Sequence, residues 1–269
     1  MSVMIGRKPA DFADHVTISK KDRSAVDRNA KKIVWGVGTS RTLRAHWSMF
    51  ELALDYECRP IGSRNGENVT PEYTRLNPTQ KIPTLQDGDL VIAESAAIVN
   101  YLTTRYGGLR NMQPPADPAG RSRYDMWCFF CMMELDADTM YIIRRHGELQ
   151  SIYGDAPNAV NAAREIFAKQ AQATVQRLGA GPYAMGERFT GADILLTTCL
   201  TSALRRDITL PDALGNYLSK TTGRRSLSAG NRSQSAVNLA ELPKPLRDFR
   251  VSTMRQVDDR FRRICYENQ

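Results

Sequence analysis

Long apolar runs are missing from this chain of 269 residues. No stretch approaches the roughly 18–20 apolar residues that cross a bilayer, and the opening MSVMIGRKPADF lacks the apolar core of a signal peptide. Cysteine is sparse and odd in number, at five, so without a secretory signal a disulfide framework is not expected. Histidine is scarcer still: His15, His46 and His146 lie far apart and form no ligand spacing, so no metal is expected. These absences point to a soluble, cytoplasmic protein. What is present, 42% hydrophobic residues, is enough for a globular core, and the length allows one large domain or two modest ones.

The body of the chain also lacks excess charge. The net charge is +8, but residues 1–32 hold 8 Lys/Arg against 4 Asp/Glu and residues 219–269 hold 11 against 5. The remainder holds 18 against 20, a net of −2. A nucleic-acid-binding core would carry a basic face of its own. The charged ends read as solvated tails, with contact to anionic partners as the other possibility.

Residues 1–31 show no sustained periodicity and read as an extension. Ile33-Val34-Trp35 opens a strand, Gly36 to Ser40 a turn, and Arg41 to Leu54 a helix with Leu43, Trp47, Phe50 and Leu54 on one face. Tyr56 to Ile61 reads as a second strand, Gly62 to Asn68 as a polar loop and Pro71 to Leu76 as a short helix. Asp87-Gly88 is a two-residue turn signal between Thr84-Leu85-Gln86 and Leu90-Val91-Ile92, hence a tight hairpin. Glu94-Ser95 begins an apolar helix with Ile98, Val99 and Leu102, and Ser95 is placed as its N-cap. The order β-α-β-α-β-β-α fits a mixed sheet covered on both faces, the thioredoxin-like arrangement.

Gly107 to Gly120, with Pro114, Pro115 and Pro118, is a linker. Beyond it the pattern is helical: Arg121 to about Gln150, Pro157 to Leu178, and a third helix entered at Phe189-Thr190-Gly191-Ala192-Asp193-Ile194. Thr190 and Asp193 have capping-box spacing and are assigned a folding role. Thr221 to Ser235 is rich in Ser, Gly and Arg and reads as irregular.

Pro83 cannot donate to a ladder and belongs at a strand start. With a cis bond before it, Ile82 would present its N–H and C=O to an extended peptide. The N-terminus of the helix at Ser95 attracts a carboxylate, and Glu94 suits an ammonium. Strand-like backbone, an anion seat and a cation seat fit an amino acid or a small peptide. The plain alternative is an ordinary hairpin followed by a capped helix.

Lys81-Ile82-Pro83, the Asp87-Gly88 hairpin and Glu94-Ser95, at this spacing, resemble the glutathione-binding half of the cytosolic glutathione S-transferases, of a serine type found in bacteria and fungi. The resemblance covers roughly residues 33–215 and is strongest at 76–102. It implies an α/β + all-α chain: an N-terminal thioredoxin-like domain (32–107) after the extension 1–31, a linker (108–120), a C-terminal helical-bundle domain (121–222) and a basic segment (223–269). It implies glutathione as co-substrate, a homodimer, and a small hydrophobic electrophile met in detoxification by conjugation, dehalogenation, ether cleavage or isomerisation. Carried over by position, Lys81 meets the glycine carboxylate, Ile82 beside Pro83 pairs with the cysteinyl part, and Glu94 and Ser95 hold the γ-glutamyl end. Tyr124 and Trp127 are placed in the electrophile pocket, with core packing as the alternative.

The reaction needs a thiolate, and a free thiol has a pKa near 8.5. A hydroxyl and a helix N-terminus aimed at the sulfur would favour the charged form. Thr39 and Ser40, at the turn before the first helix, are the catalytic candidates; capping alone would also justify a serine there. The family's usual slot aligns with Val37, which cannot donate. That departure keeps open a non-catalytic protein of the same fold. A thiol–disulfide oxidoreductase would need a cysteine in this turn, which has none. Cys128-Phe-Phe-Cys131 reads as core packing, His46 as a packing residue, and Arg44 as a solvated surface arginine, with added positive potential one turn into the first helix as the alternative.

Overall fold

The computed structural model describes residues 30–224. The expected extension 1–31 and basic segment 223–269 therefore lie almost wholly outside the described residues. β1 (Lys32–Trp35) runs parallel to β2 (Glu57–Arg59) on one side and antiparallel to β3 (Thr84–Asp87) on the other, and β4 (Leu90–Ala93) continues from β3. The hairpin turn is Gly88-Asp89, one residue later than the expected Asp87-Gly88, because Asp87 ends β3 paired with Leu90. The strand order is β2-β1-β3-β4.

Alternation along the strands decides what each face carries. Val34 and Leu85, opposite each other in register, are fully buried with Leu43 and Trp47 of α1 (Ser40–Glu51). α2 (Pro71–Leu76) lies on the other face, where the Trp35 and Tyr73 rings meet at 5.7 Å. α3 (Ser95–Tyr106) returns to the first face with Ile98, Val99 and Leu102. α1 ends three residues earlier than Leu54, because Ala53 turns into the left-handed region.

α4 (Pro118–Phe130) starts inside the expected linker: Pro118 suits a first helical position, and the Asp117 carboxylate accepts from the Gly120 N–H at 2.7 Å. The expected single helix to Gln150 is not one regular helix. It passes through π-helical turns (Cys131–Met140), α5 (Tyr141–Ile143) and further π turns (Arg144–Glu148), then breaks at Leu149 before α6 (Gln150–Tyr153). α7 (Pro157–Leu178) follows the expected bounds.

α8 (Gly191–Leu204) is the buried axis of the helical part. The Asp193 carboxylate accepts from the Thr190 N–H, the Ala184 N–H and the Tyr217 hydroxyl at 2.7, 2.7 and 2.9 Å, a folding role. Gly191 is required where α8 crosses α3 and α4: an added Cβ would stand 2.4 Å from the Tyr124 hydroxyl and 2.7 Å from Val99. α9 (Asp212–Thr222), which the sequence pattern did not signal, buries Leu214, Tyr217 and Leu218. After it, Arg224 forks onto Glu51 of α1 at 2.5 and 2.7 Å, so the helical part closes back on the sheet domain.

Candidate functional site

The turn between β1 and α1 is built by Thr39. Its hydroxyl accepts from the Thr42 N–H while the Thr42 hydroxyl accepts from the Thr39 N–H, both at 3.0 Å, a reciprocal cap. Capping therefore falls to Thr39, and Ser40 is released from it. The Ser40 side chain has no hydrogen-bond partner among the described residues and lines a cleft of about 210 Å³. Ser40 and Arg41 also bring the first N–H groups of α1 to this end of the helix, which is electropositive. Val37 is 2% exposed and does not line the cleft.

Across the turn stands the Ile82-Pro83 peptide, which is cis. Lys81 is held from behind: its carbonyl accepts from the Tyr73 hydroxyl at 2.6 Å and from Asn77 Nδ2 at 2.8 Å. The Ile82 N–H and C=O make no backbone hydrogen bond among the described residues. The Ile82 side chain seats on Gly36, whose φ is +104° and where an added Cβ would come within 2.5 Å; only glycine fits there.

A small hollow adjoins the cleft, lined by Lys81, Ile82, Pro83, Glu94 and Ser95 together with Arg41. Arg41, Lys81 and Ile82 face both spaces. Thus the seven residues expected from the hairpin, the helix start and the α1 turn meet around one wall. Lys81 and Glu94 are exposed and make no ion pair among the described residues. Glu94 sits at φ +66°, a left-handed conformation rare outside glycine. Ser95 is not the N-cap. Glu94 is, without a side-chain cap bond, and Ser95 is the first residue of α3. The Ser95 hydroxyl instead accepts from Arg44 Nη1 at 3.1 Å.

Arg44 is the main correction to the reading of the sequence. It is 1% exposed, not solvated. Its guanidinium donates to Thr198 Oγ1 at 2.8 Å, to Ser95 and to Asp136 Oδ2 at 2.8 Å. Asp136 also accepts from Arg41 at 2.7 Å. Burial would raise the Asp136 pKa, but the Arg44 charge and the Arg41 hydrogen bond hold it down at about 2. The chain Ser95–Arg44–Asp136–Arg41 thus joins α3, α1 and the π-helical wall beneath the cleft.

Tyr124 and Trp127 are not in the cleft. They are 0% and 3% exposed in the core, and the Tyr124 hydroxyl donates to Asn100 Oδ1 at 2.8 Å. The reason is position along the helix: the stretch from Pro118 to Phe130 packs on α3 and α8, and only after the π turns does the chain reach the cleft, with Asp136, Met140, Tyr141 and Arg144. Those lining residues escaped notice because a π turn shifts the side chains off the 3.6-residue period. Cys128 and Cys131 are buried at 2% and 0%, and burial pushes the Cys128 thiol up to about 12, which is core chemistry. His46 is 0% exposed, bonded to the Gly36 carbonyl at 3.0 Å and to the Tyr56 hydroxyl at 2.9 Å. Among the described residues, no helix is long and apolar enough to cross a membrane, and no group of three or more His, Cys, Asp or Glu is placed to hold a metal.

This arrangement matches known proteins. The family described as "Glutathione S-transferase, N-terminal domain" matches residues 31–104. Glutathione S-transferase 3 of Zea mays is 30% identical over 163 residues, 57% of this chain and 70% of that protein. Glutathione S-transferase D7 of Drosophila melanogaster is 38% identical over 117 residues, 42% of this chain and 50% of that protein. The match thus spans about half the length of several curated relatives. Among solved structures, the theta class glutathione S-transferase from the citrus canker pathogen Xanthomonas axonopodis pv. citri, with glutathione bound, superposes with a TM-score of 0.65 at 28% identity, covering 75% of this chain and 97% of that one. A glutathione transferase homolog from Lodderomyces elongisporus shares the fold, with a TM-score of 0.69 at 19% identity over 76% of this chain and 98% of that one. With a thioredoxin-like sheet domain followed by a helical domain, and with the Zea mays enzyme 30% identical and matched over 70% of its length, the chain belongs to the glutathione S-transferase family.

Proposed function

We propose that this chain binds glutathione across the Ile82-Pro83 wall and activates its thiol for attack on a small electrophile. The observation that carries the reading is that one wall separates the hollow of Lys81, Glu94 and Ser95 from the cleft of Ser40. Lys81 takes the glycine carboxylate. The free Ile82 backbone groups pair with the cysteinyl residue as an added strand would. The first N–H groups of α3, with Ser95, take the γ-glutamyl carboxylate, and Glu94 its ammonium. The sulfur then lies at the electropositive end of α1, where the Ser40 hydroxyl donates to the thiolate; Thr39, committed to the cap, holds that end in place. In conjugation the thiol proton leaves to solvent, the sulfur forms a bond to carbon, and the leaving group departs with the electron pair.

The test is the ultraviolet thiolate absorbance of glutathione titrated with the protein at neutral pH. A saturating increase supports both binding and activation. No added thiolate at any protein concentration overturns catalysis. A non-catalytic glutathione-binding protein is the second reading, favoured by the buried Val37 in the family's usual donor slot. It predicts binding by calorimetry without the absorbance.

A homodimer belongs to this proposal. Met126, Phe129 and Met133 are 43%, 69% and 54% exposed at spacings of three and four along one helical wall, an apolar stripe that a second copy would cover.

A further inference from the structure

Resting on the reading just given, we propose that the cleft beyond the glutathione seat receives an electrophile that carries a carboxylate or comparable anionic group, rather than an uncharged apolar one. The glutathione anchors do not use the far side of the cleft, and that side is built from arginines. Arg64 comes from the loop after β2, Arg144 from the π turns after α5, and Arg206 from the end of α8; all three line the same space as Ser40.

The charge count there is unbalanced. Arg41 and Arg44 are neutralised in part by Asp136. Arg144 and Arg206 share one carboxylate, Glu148, at 3.7 and 2.8 Å. Arg64 has no acidic partner among the described residues; it donates to the Tyr153 hydroxyl at 3.3 Å and lies over that ring. Three guanidiniums therefore face the cleft with one carboxylate between them. Burial, and after it the charges of Arg64 and Arg206, lower the Arg144 pKa, as expected for cations pressed together without enough counter-charge. A guanidinium fork is the donor best matched to a planar carboxylate.

The rest of the lining fits the body of such a molecule. Met140, Tyr141 and Tyr153 add apolar surface to the cleft that the arginines and Ile82 line. Tyr153 is held between Arg64 and Arg145, with ring distances of 5.7 and 4.6 Å. A small aromatic ring with an acidic group at one end and a reactive carbon at the other has a group for each part of this lining: the carboxylate for the arginines, the ring for the apolar surface. An uncharged apolar substrate would desolvate these cations without pairing them, which is unfavourable.

The experiment uses the full chain and two near-isosteric electrophiles, 4-(bromomethyl)benzoate and 4-(bromomethyl)benzamide. In each, the glutathione sulfur bonds to the benzylic carbon, the carbon–bromine bond breaks, bromide leaves and the thiol proton goes to solvent. The expected result is a preference of about tenfold or more in kcat/KM for the benzoate, mainly through KM, the effect of one charge-assisted hydrogen bond. Arg64→Gln and Arg144→Gln each bring the benzoate-to-amide ratio toward one, and Arg144→Lys keeps part of it. Equal use of the two electrophiles, or a ratio unchanged in both variants, overturns the proposal. The thiolate titration on the same samples reports separately on the glutathione reading. Should that reading fail, calorimetry with 4-methylbenzoate and 4-methylbenzamide decides: binding of the benzoate alone, lost in Arg64→Gln, supports the anionic cleft, and binding of neither overturns it. A second glutathione per chain that excludes 4-methylbenzoate also overturns it.

Discussion

Arg44 Nη2 and Asp136 Oδ2 stand 2.8 Å apart at a site where Arg44 is 1% exposed. The pair joins the first helix of the sheet domain to the π-helical wall of the other domain. Removing one partner of a buried pair leaves an uncompensated charge, at a cost of about 3–5 kcal/mol. Here Arg41 remains beside Asp136, so Arg44→Ala is expected at the lower end, about 3 kcal/mol. Urea unfolding checks this. Arg44→Lys keeps the charge but not the bonds to Thr198 and Ser95, and it should recover only part of the loss. An unchanged midpoint in Arg44→Ala would show that the pair contributes nothing net.

Ser40 and Thr39 sit next to each other and should fail differently. Ser40→Ala removes the proposed donor to sulfur, and loss of such a donor costs ~10²–10³ in rate. The thiolate absorbance should fall while glutathione affinity by calorimetry stays. Thr39→Ala removes the cap and should cost about 1 kcal/mol of stability, read by thermal unfolding. If Ser40→Ala leaves the rate intact, the helix end alone activates the thiol.

Lys81 and Glu94 have no ion pair among the described residues, so their substitution should cost affinity and not stability. Each proposed contact to a charged end of glutathione is worth roughly 1.5–3 kcal/mol, or about 10- to 100-fold in Kd. Lys81→Ala and Glu94→Gln should both show this by calorimetry with melting temperatures near the parent. A glutathione Kd unmoved in both would place the peptide elsewhere.

His46 gives the fold a dependence on pH. Burial drives its pKa down from 6.5 to about 4, against the pull of the Gly36 carbonyl. The unfolded chain binds the proton first, so the contribution is complete above pH 6.5 and is lost as pH falls toward 4; its size is about 3 kcal/mol. Asp136 behaves alike at lower pH: held at about 2 against an ordinary 3.8, its contribution is present above about pH 4 and lost toward pH 2. Urea midpoints measured from pH 7 to 4 should decline in the parent, and His46→Gln should flatten most of that decline.

Phe129→Glu places a charge in the middle of the exposed stripe. If a second copy covers it, sedimentation should show monomers where the parent sediments as dimers. An identical distribution in both would remove this stripe as the interface.

Much of the glutathione half was readable from local chemistry. The hairpin was announced by Asp87-Gly88 and the runs beside it, and its elements formed within one or two residues of their expected bounds, with the turn itself one residue later at Gly88-Asp89. Lys81, Ile82, Pro83, Glu94 and Ser95 lie within fifteen residues of one another, so the hairpin and helix start bring them together without help from the rest of the chain. The Thr190–Asp193 cap is local in the same way. Tertiary structure decided the rest. Whether Ser40 or Thr39 capped α1 depended on the backbone of the turn, since both hydroxyls were in reach. Arg44 was buried because partners 51, 92 and 154 residues away converge on it, and no local pattern announces an arginine that will be satisfied at such separations. The cleft wall followed π turns that break the 3.6-residue period, which moved the lining from Tyr124 and Trp127 to Asp136, Tyr141 and Arg144. Sequence alone determines what hydrogen bonds and turns can settle over a few residues; which distant charges share one cleft is settled only when the helices have packed.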